Sequence, residues 1–138
     1  MSALESNNSS LQGQVKALAS RLDKSARKEA VASALAKGLQ VGYAFHIQRL
    51  SSDAEFAKWK TAVLDWYANT VAQIRNDISE HESIVFRQPP PRQRLQYDQR
   101  FNEDHNNLLH DLGGYLENLR HLHSRVVATD GAFSCAGG

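Results

Sequence analysis

A chain of 138 residues with 41% apolar and 22% charged residues has the length and composition of one ordinary globular domain. Its formal net charge of +1 argues against a broad electrostatic surface for nucleic acid or an anionic membrane. Eight glycines and three prolines exclude a collagen-like or low-complexity chain.

Residues 1–9 are rich in Ser and Asn and are expected to be disordered. A Ser-rich secretion leader of the bacterial-effector type is the alternative reading of the same stretch. The basic start and apolar core of a classical secretory signal are not found there. A first helical pattern then runs from about Ser10, a candidate N-cap, to Leu22. Leu11, Val15, Leu18 and Leu22 fall on one face at spacings of four, three and four. Asp23-Lys24-Ser25 interrupts the pattern without Gly or Pro, so the helix either bends through or breaks, with Ser25 capping a new one.

The second pattern, from about Ala26 to Leu50, places small residues every four positions: Ala26, Ala30, Ala34, Gly38 and Gly42. A lane without atoms beyond Cβ lets another backbone come close. Each glycine weakens an isolated helix by about 1 kcal/mol, and tight packing is the expected compensation. Ala30, Ala34, Gly38 and Gly42 are therefore assigned to helix close-packing. The spacing is similar to a membrane dimerisation motif. Lys28, Lys37, His46 and Arg49 argue against a bilayer, and no apolar run is long enough to span one.

Ser52 followed by Glu55 fits a capping box that opens a third helix. Nothing breaks the pattern until Pro89, and the apolar face reads Phe56, Trp59, Val63, Tyr67, Val71, Ile74, Ile78, His81 and Val85. An unbroken rod of roughly 50 Å is expected. Pro89-Pro90-Pro91 must interrupt it. A fourth helix starts between Pro91 and Asn102 and runs to about Val127, with a heptad-like seam of Phe101, His105, Leu108, Leu112, Tyr115, Leu119, Leu122 and Val126. Gly113-Gly114 inside that seam marks a kink or a close contact.

The expected fold is all-α: an elongated antiparallel bundle of three or four helices with a long C-terminal helical hairpin. Its domains are a disordered N-terminus at 1–9, one helical bundle at 10–128 and a flexible tail at 129–138. Charge is uneven, with nine Lys or Arg against five acids up to Lys60 and seven against ten from Thr61 onward.

Chemistry is sparse. His105, His110, His121 and His123 share the fourth helix at spacings that do not converge on one ion, and Glu-x-x-His is absent. Glu117–His121 reads as a surface hydrogen bond. Cys135 is the single cysteine, so no intramolecular disulfide forms, and the tail around it holds no base to activate it. Cys135-Ala-Gly-Gly matches a prenylation site only in the position of its cysteine, and a terminal Gly-Gly alone does not make a ubiquitin-like carrier. No nucleophile elbow or phosphate-binding loop is present. Asp77, Glu80 and Glu82 read as a solvated face. No enzyme, metal or cofactor is expected.

Two features remain as candidate partner contacts. Arg87, Arg92, Arg94 and Arg100 surround the prolines and form the one concentrated basic patch. Trp59 and Trp66, seven apart, share a face of the third helix and belong either to the core or to an interface. The leading functional expectation is a non-enzymatic helical protein–protein interaction module: an adaptor, regulator or inhibitor, of cellular, phage or mobile-element, or effector origin. Its partner is another protein or a second copy in a homodimer. The alternatives are a nucleic-acid-associated protein using the arginine turn and a metal- or cofactor-binding bundle. The expected location is a reducing cytoplasm, or a host cytoplasm for a delivered effector.

Overall fold

The computed structural model describes residues 3–128, without the side chains of 3–13, 17 and 19–22. The described residues form four helices and no strand: α1 (Ala3–Ile47), α2 (Asp53–Asp77), α3 (Glu80–Arg87) and α4 (Glu103–Ala128). The protein is all-α. The tail at 129–138, with Cys135, lies outside the described residues.

α1 is continuous through Asp23-Lys24-Ser25. Extending a nucleated helix costs far less than starting one, and no residue there removes a donor or frees the backbone. The helix already includes Ser10, expected as a cap, and begins at Ala3, within the stretch expected to be disordered. Ser52 opens α2 with an extended backbone, its hydroxyl accepting the Glu55 N–H at 3.1 Å. The Glu55 carboxylate accepts from the backbone and hydroxyl of Ser51 instead of from Ser52, at 2.8 and 2.9 Å.

The long third helix is corrected. α2 ends at Asp77, where the N–H groups of Ile78 and Ser79 both donate to the Ile74 carbonyl. Ser79 then caps α3 as Ser52 caps α2, accepting the Glu82 N–H at 3.1 Å. Ser79-Glu80-His81-Glu82 carries the Ser-x-x-Glu signature of a helix start, hidden inside an uninterrupted apolar rhythm, and the Glu82 carboxylate itself pairs with Arg125. Restarting the helix changes its phase, so α3 buries Ser83 and Phe86 while His81 and Val85 face solvent.

That break reverses the chain. Trp59 reaches Phe45 and Trp66 reaches Gly38, so α1 and α2 are antiparallel. Gly38 lies opposite Leu119 and Gly42 opposite Leu116, so α1 and α4 are antiparallel too. α2 and α4 therefore run parallel, with Trp59 against His105 and Tyr67 stacked on Tyr115 at 4.7 Å. The expected antiparallel hairpin of the last two long helices does not form. α3 and residues 88–102 carry the chain back along α4, pairing Glu82 with Arg125, Phe86 with Tyr115, Pro89 with Gly114 and Tyr97 with Asn106. The prolines stop α3 but do not make a tight turn. Gly113-Gly114 is a close contact under this return strand, and α4 runs through it unbroken.

The core joins Val31 and Leu35 of α1 to Trp59, Val63, Trp66 and Ile74 of α2, Phe86 of α3, and the seam from Leu109 to Val126 of α4. α1 outruns this core. By the pairings above, α2 and α4 both end opposite residues near Ala30. None of the described side chains from Gln14 to Ala30 is buried, and Val15 and Leu18 are 63% and 56% exposed. From Ala3 to Ala30 the helix covers about 40 Å at 1.5 Å per residue.

Candidate functional site

The small-residue lane and the two tryptophans turn out to be parts of one device. Gly42 is buried, and a Cβ there would stand 2.5 Å from Leu116 and 2.8 Å from Trp66. With that atom missing, the Trp66 indole lies flat enough on α1 to donate its N–H to the Gly38 carbonyl at 2.9 Å. Trp59 donates in the same way to the Phe45 carbonyl at 2.9 Å. Buried indoles need such an acceptor, and α1 supplies both. Both tryptophans are over nine-tenths buried, so Trp59 and Trp66 are core residues and not the partner contacts expected of them. Ala30 is exposed, Ala34 is half-buried and a Cβ at Gly38 would meet Leu119 only at 3.7 Å, so the tight part of the lane is at Gly42.

At the end where α1 stops and α2 and α4 begin, His105 is fully buried. Its Nδ1 accepts the Phe101 N–H at 2.8 Å, and the Asn102 side chain accepts the His105 N–H at 2.7 Å, a reciprocal cap that starts α4. Nδ1 is occupied as an acceptor, so the neutral ring carries its proton on Nε2, which has no hydrogen-bond partner. The ring edge meets Trp59 at 4.5 Å and 83°. Burial, then the neighbouring His46, hold His105 below the usual histidine pKa. His46 is lowered by its own burial and by Arg92, against a contact with the Leu109 backbone that raises it. Two neutral, partly unsatisfied imidazoles thus sit beside an aromatic cluster. Their surroundings are those of packing residues.

The arginines are spread out. Arg92 lies over Gly113, where a Cβ would be 2.9 Å from its guanidinium, and donates to Glu117 at 3.4 Å and to the Tyr97 hydroxyl at 3.3 Å. Arg94 donates to Asn107, and Arg100 to the Tyr97 carbonyl at 2.9 Å. Glu117 and Asn107 are about 15 Å apart along α4. Arg87 is exposed at the end of α3. The concentrated patch expected around the prolines is therefore drawn out along a helix, and three of its four members already have partners in the chain. Arg92 borders an open cleft of about 370 Å³ with Tyr43, His46, Leu95, Tyr97 and Arg120.

Two asparagines that sequence reasoning passed over hold the return strand in place. Asn106, fully buried, accepts the Tyr97 N–H at 2.9 Å and donates to the Leu95 carbonyl at 3.0 Å. Asn118 donates to the Val85 and Phe86 carbonyls at the end of α3, where the Val85 carbonyl also accepts the Gln88 N–H. The available signal was a polar residue beside the apolar seam of a well-formed helix.

Among the described residues, no three His, Cys, Asp or Glu side chains converge as a metal-ligand set, and no helix is long and apolar enough to cross a membrane. Among the described residues, Val15 and Leu18 of α1 are large apolar side chains left exposed where the helix runs beyond the core. The chain matches no known protein-family model, and no curated protein or solved structure is significantly similar to it.

Proposed function

We propose that the protein is a non-enzymatic interaction module: a compact helical head that presents the N-terminal half of α1 to a protein partner. One observation carries this reading. α1 continues well past the ends of α2 and α4, with Val15 and Leu18 exposed on a face that none of the other described residues covers. Helices in water draw most of their stability from packing an apolar face, and a bare extension of this length gains none. Scattered exposed apolar residues are ordinary, but a seam at spacings of four, three and four is a packing surface. The head supports the reading as well, because the Trp59 and Trp66 indole hydrogen bonds to the α1 backbone tie the helix to α2.

The test is site-specific photocrosslinking in cells of the full chain. A crosslinking residue at Val15 is expected to trap a protein, whereas one at Asp65, exposed on α2, traps none. Absence of any protein adduct at position 15 overturns the proposal.

A further inference from the structure

The sequence pattern around the exposed Val15 and Leu18 of α1 carries more information than its hydrophobicity. Numbered in heptads, the helix puts Leu4, Leu11 and Leu18 at d and Asn8, Val15 and Leu22 at a. Leucine at d with a β-branched residue at a favours two strands, and one asparagine at a fixes register and chain number at a cost in stability. The flanking e positions are Glu5, Gln12, Ala19 and Ala26 and the g positions are Asn7, Gln14 and Arg21; the opposed pairs Asn7–Gln12, Gln14–Ala19 and Arg21–Ala26 bring no like charges together across a parallel pair.

We infer that α1 self-associates over residues 4–22 as a parallel two-stranded coiled coil, making the partner a second copy of this chain. The inference rests on the interaction reading above and names its partner. Direction supports it. At 100° per residue the seam centred on Val15 and Leu18 points about half a turn away from the face centred on Val31, Leu35, Gly38 and Gly42, which meets α2 and α4. Two copies can join along this seam with their heads on opposite outer sides, so the heads do not collide. The pattern also stops at the right place. The next a position is Glu29, which would face its own copy, and it falls where α2 and α4 begin to flank the helix.

Size is sufficient. Five apolar a and d residues per chain, at roughly 100 Å² each, bury about 1,000 Å² over both copies. That is the lower bound for a specific interface, so the pair should dissociate on dilution.

Sedimentation of the full chain over roughly a hundredfold concentration range tests this. A reversible monomer–dimer equilibrium is expected, weakened at least about a hundredfold by Leu18→Glu. Lys16→Glu, on the far side of the same helical turn, is the control and should leave it within about threefold. Near-ultraviolet circular dichroism of Trp59 and Trp66 reports whether the head stays folded in each variant. Asn8→Val is expected to tighten association and to loosen the limit of two chains. Asn8→Cys in a Cys135→Ser background should form an interchain disulfide on oxidation, because only a parallel pair places position 8 against itself. A monomer at every concentration, a dimer indifferent to Leu18→Glu, or no crosslink at position 8 overturns the inference. A monomeric chain that still crosslinks from position 15 to a different protein refutes self-association and leaves the interaction reading standing.

Discussion

The two halves of α1 belong to one unbroken helix and follow different rules. From Val31 to Ile47 the helix is a docking strip in which Gly42 gives up intrinsic stability so that Trp66 and Leu116 can reach its backbone. From Ala3 to Ala30 it holds a repeating apolar seam and no buried described side chain. In the first half small residues mark contact, because the neighbouring helices are already present. In the second, larger residues mark it, because the neighbour has to be recruited. Helical continuity thus says little about where a helix is supported.

The comparison is broken most severely at Gly42. Gly42→Leu drives a side chain into Leu116 and Trp66 and is expected to cost about 3 kcal/mol or more, read by urea unfolding followed by tryptophan fluorescence. If the cost is negligible, the docking strip is not close-packed there. A second effect comes from acid. His46 and His105 are both held below 6.5, chiefly by burial, so the unfolded chain takes up protons first. Stability is then complete above about pH 6.5 and declines as pH falls through that value toward the lower folded pKa values. Thermal melts from about pH 7.5 to about pH 5 should show this decline, and His105→Gln, which keeps an acceptor for Phe101, should flatten it. A melting temperature that rises on acidification would refute the assignment of neutral rings.

Gly38→Ala sharpens the comparison by reversing the sign. A Cβ at Gly38 meets Leu119 at 3.7 Å, ordinary van der Waals contact, so the substitution should gain up to about 1 kcal/mol of helix propensity. Two glycines one turn apart would then differ in the direction of their effect. The smallest change is expected from Leu18→Ser, which should leave the unfolding free energy of the head within about 0.5 kcal/mol while acting on association. A large loss of head stability would mean that the N-terminal half packs on its own chain.

Much of the architecture can be read from residue patterns, and the failures have local causes. The α4 seam from His105 to Val126 and the Ser52 cap are visible because period and capping chemistry agree. The break at Ser79 was hidden because Ile74, Ile78 and Val85 keep helical spacing across it, and apolar rhythm outvoted a Ser-x-x-Glu signal. Missing that one cap turned a parallel pair of helices with a return strand into an antiparallel hairpin. The arginines looked clustered because Arg87, Arg92, Arg94 and Arg100 are close in sequence. Residues 88–102 are extended along α4, so neighbours in sequence become distant in space. Nothing in the sequence pattern joins Trp66 to Gly38, because a hydrogen bond spanning 28 residues leaves no mark in a periodicity.

The return strand also governs the order in which contacts become available. Trp59 and Phe45 are 14 residues apart, whereas Gly42 and Leu116 are roughly 75 apart. Closing the longer loop costs about 1.5 kcal/mol more in chain entropy, before any packing is gained. As the ribosome delivers the chain, α1 and α2 can pair early, but the α1 strip on either side of Gly42 waits for α4 to be made and for residues 79–102 to be laid back. Throughout that interval two apolar faces of α1 point in opposite directions, one awaiting α4 and the other exposed in the finished fold. Nascent chains are therefore most prone to wrong pairing just before α4 emerges, and a pause there would favour association through the wrong side of the helix.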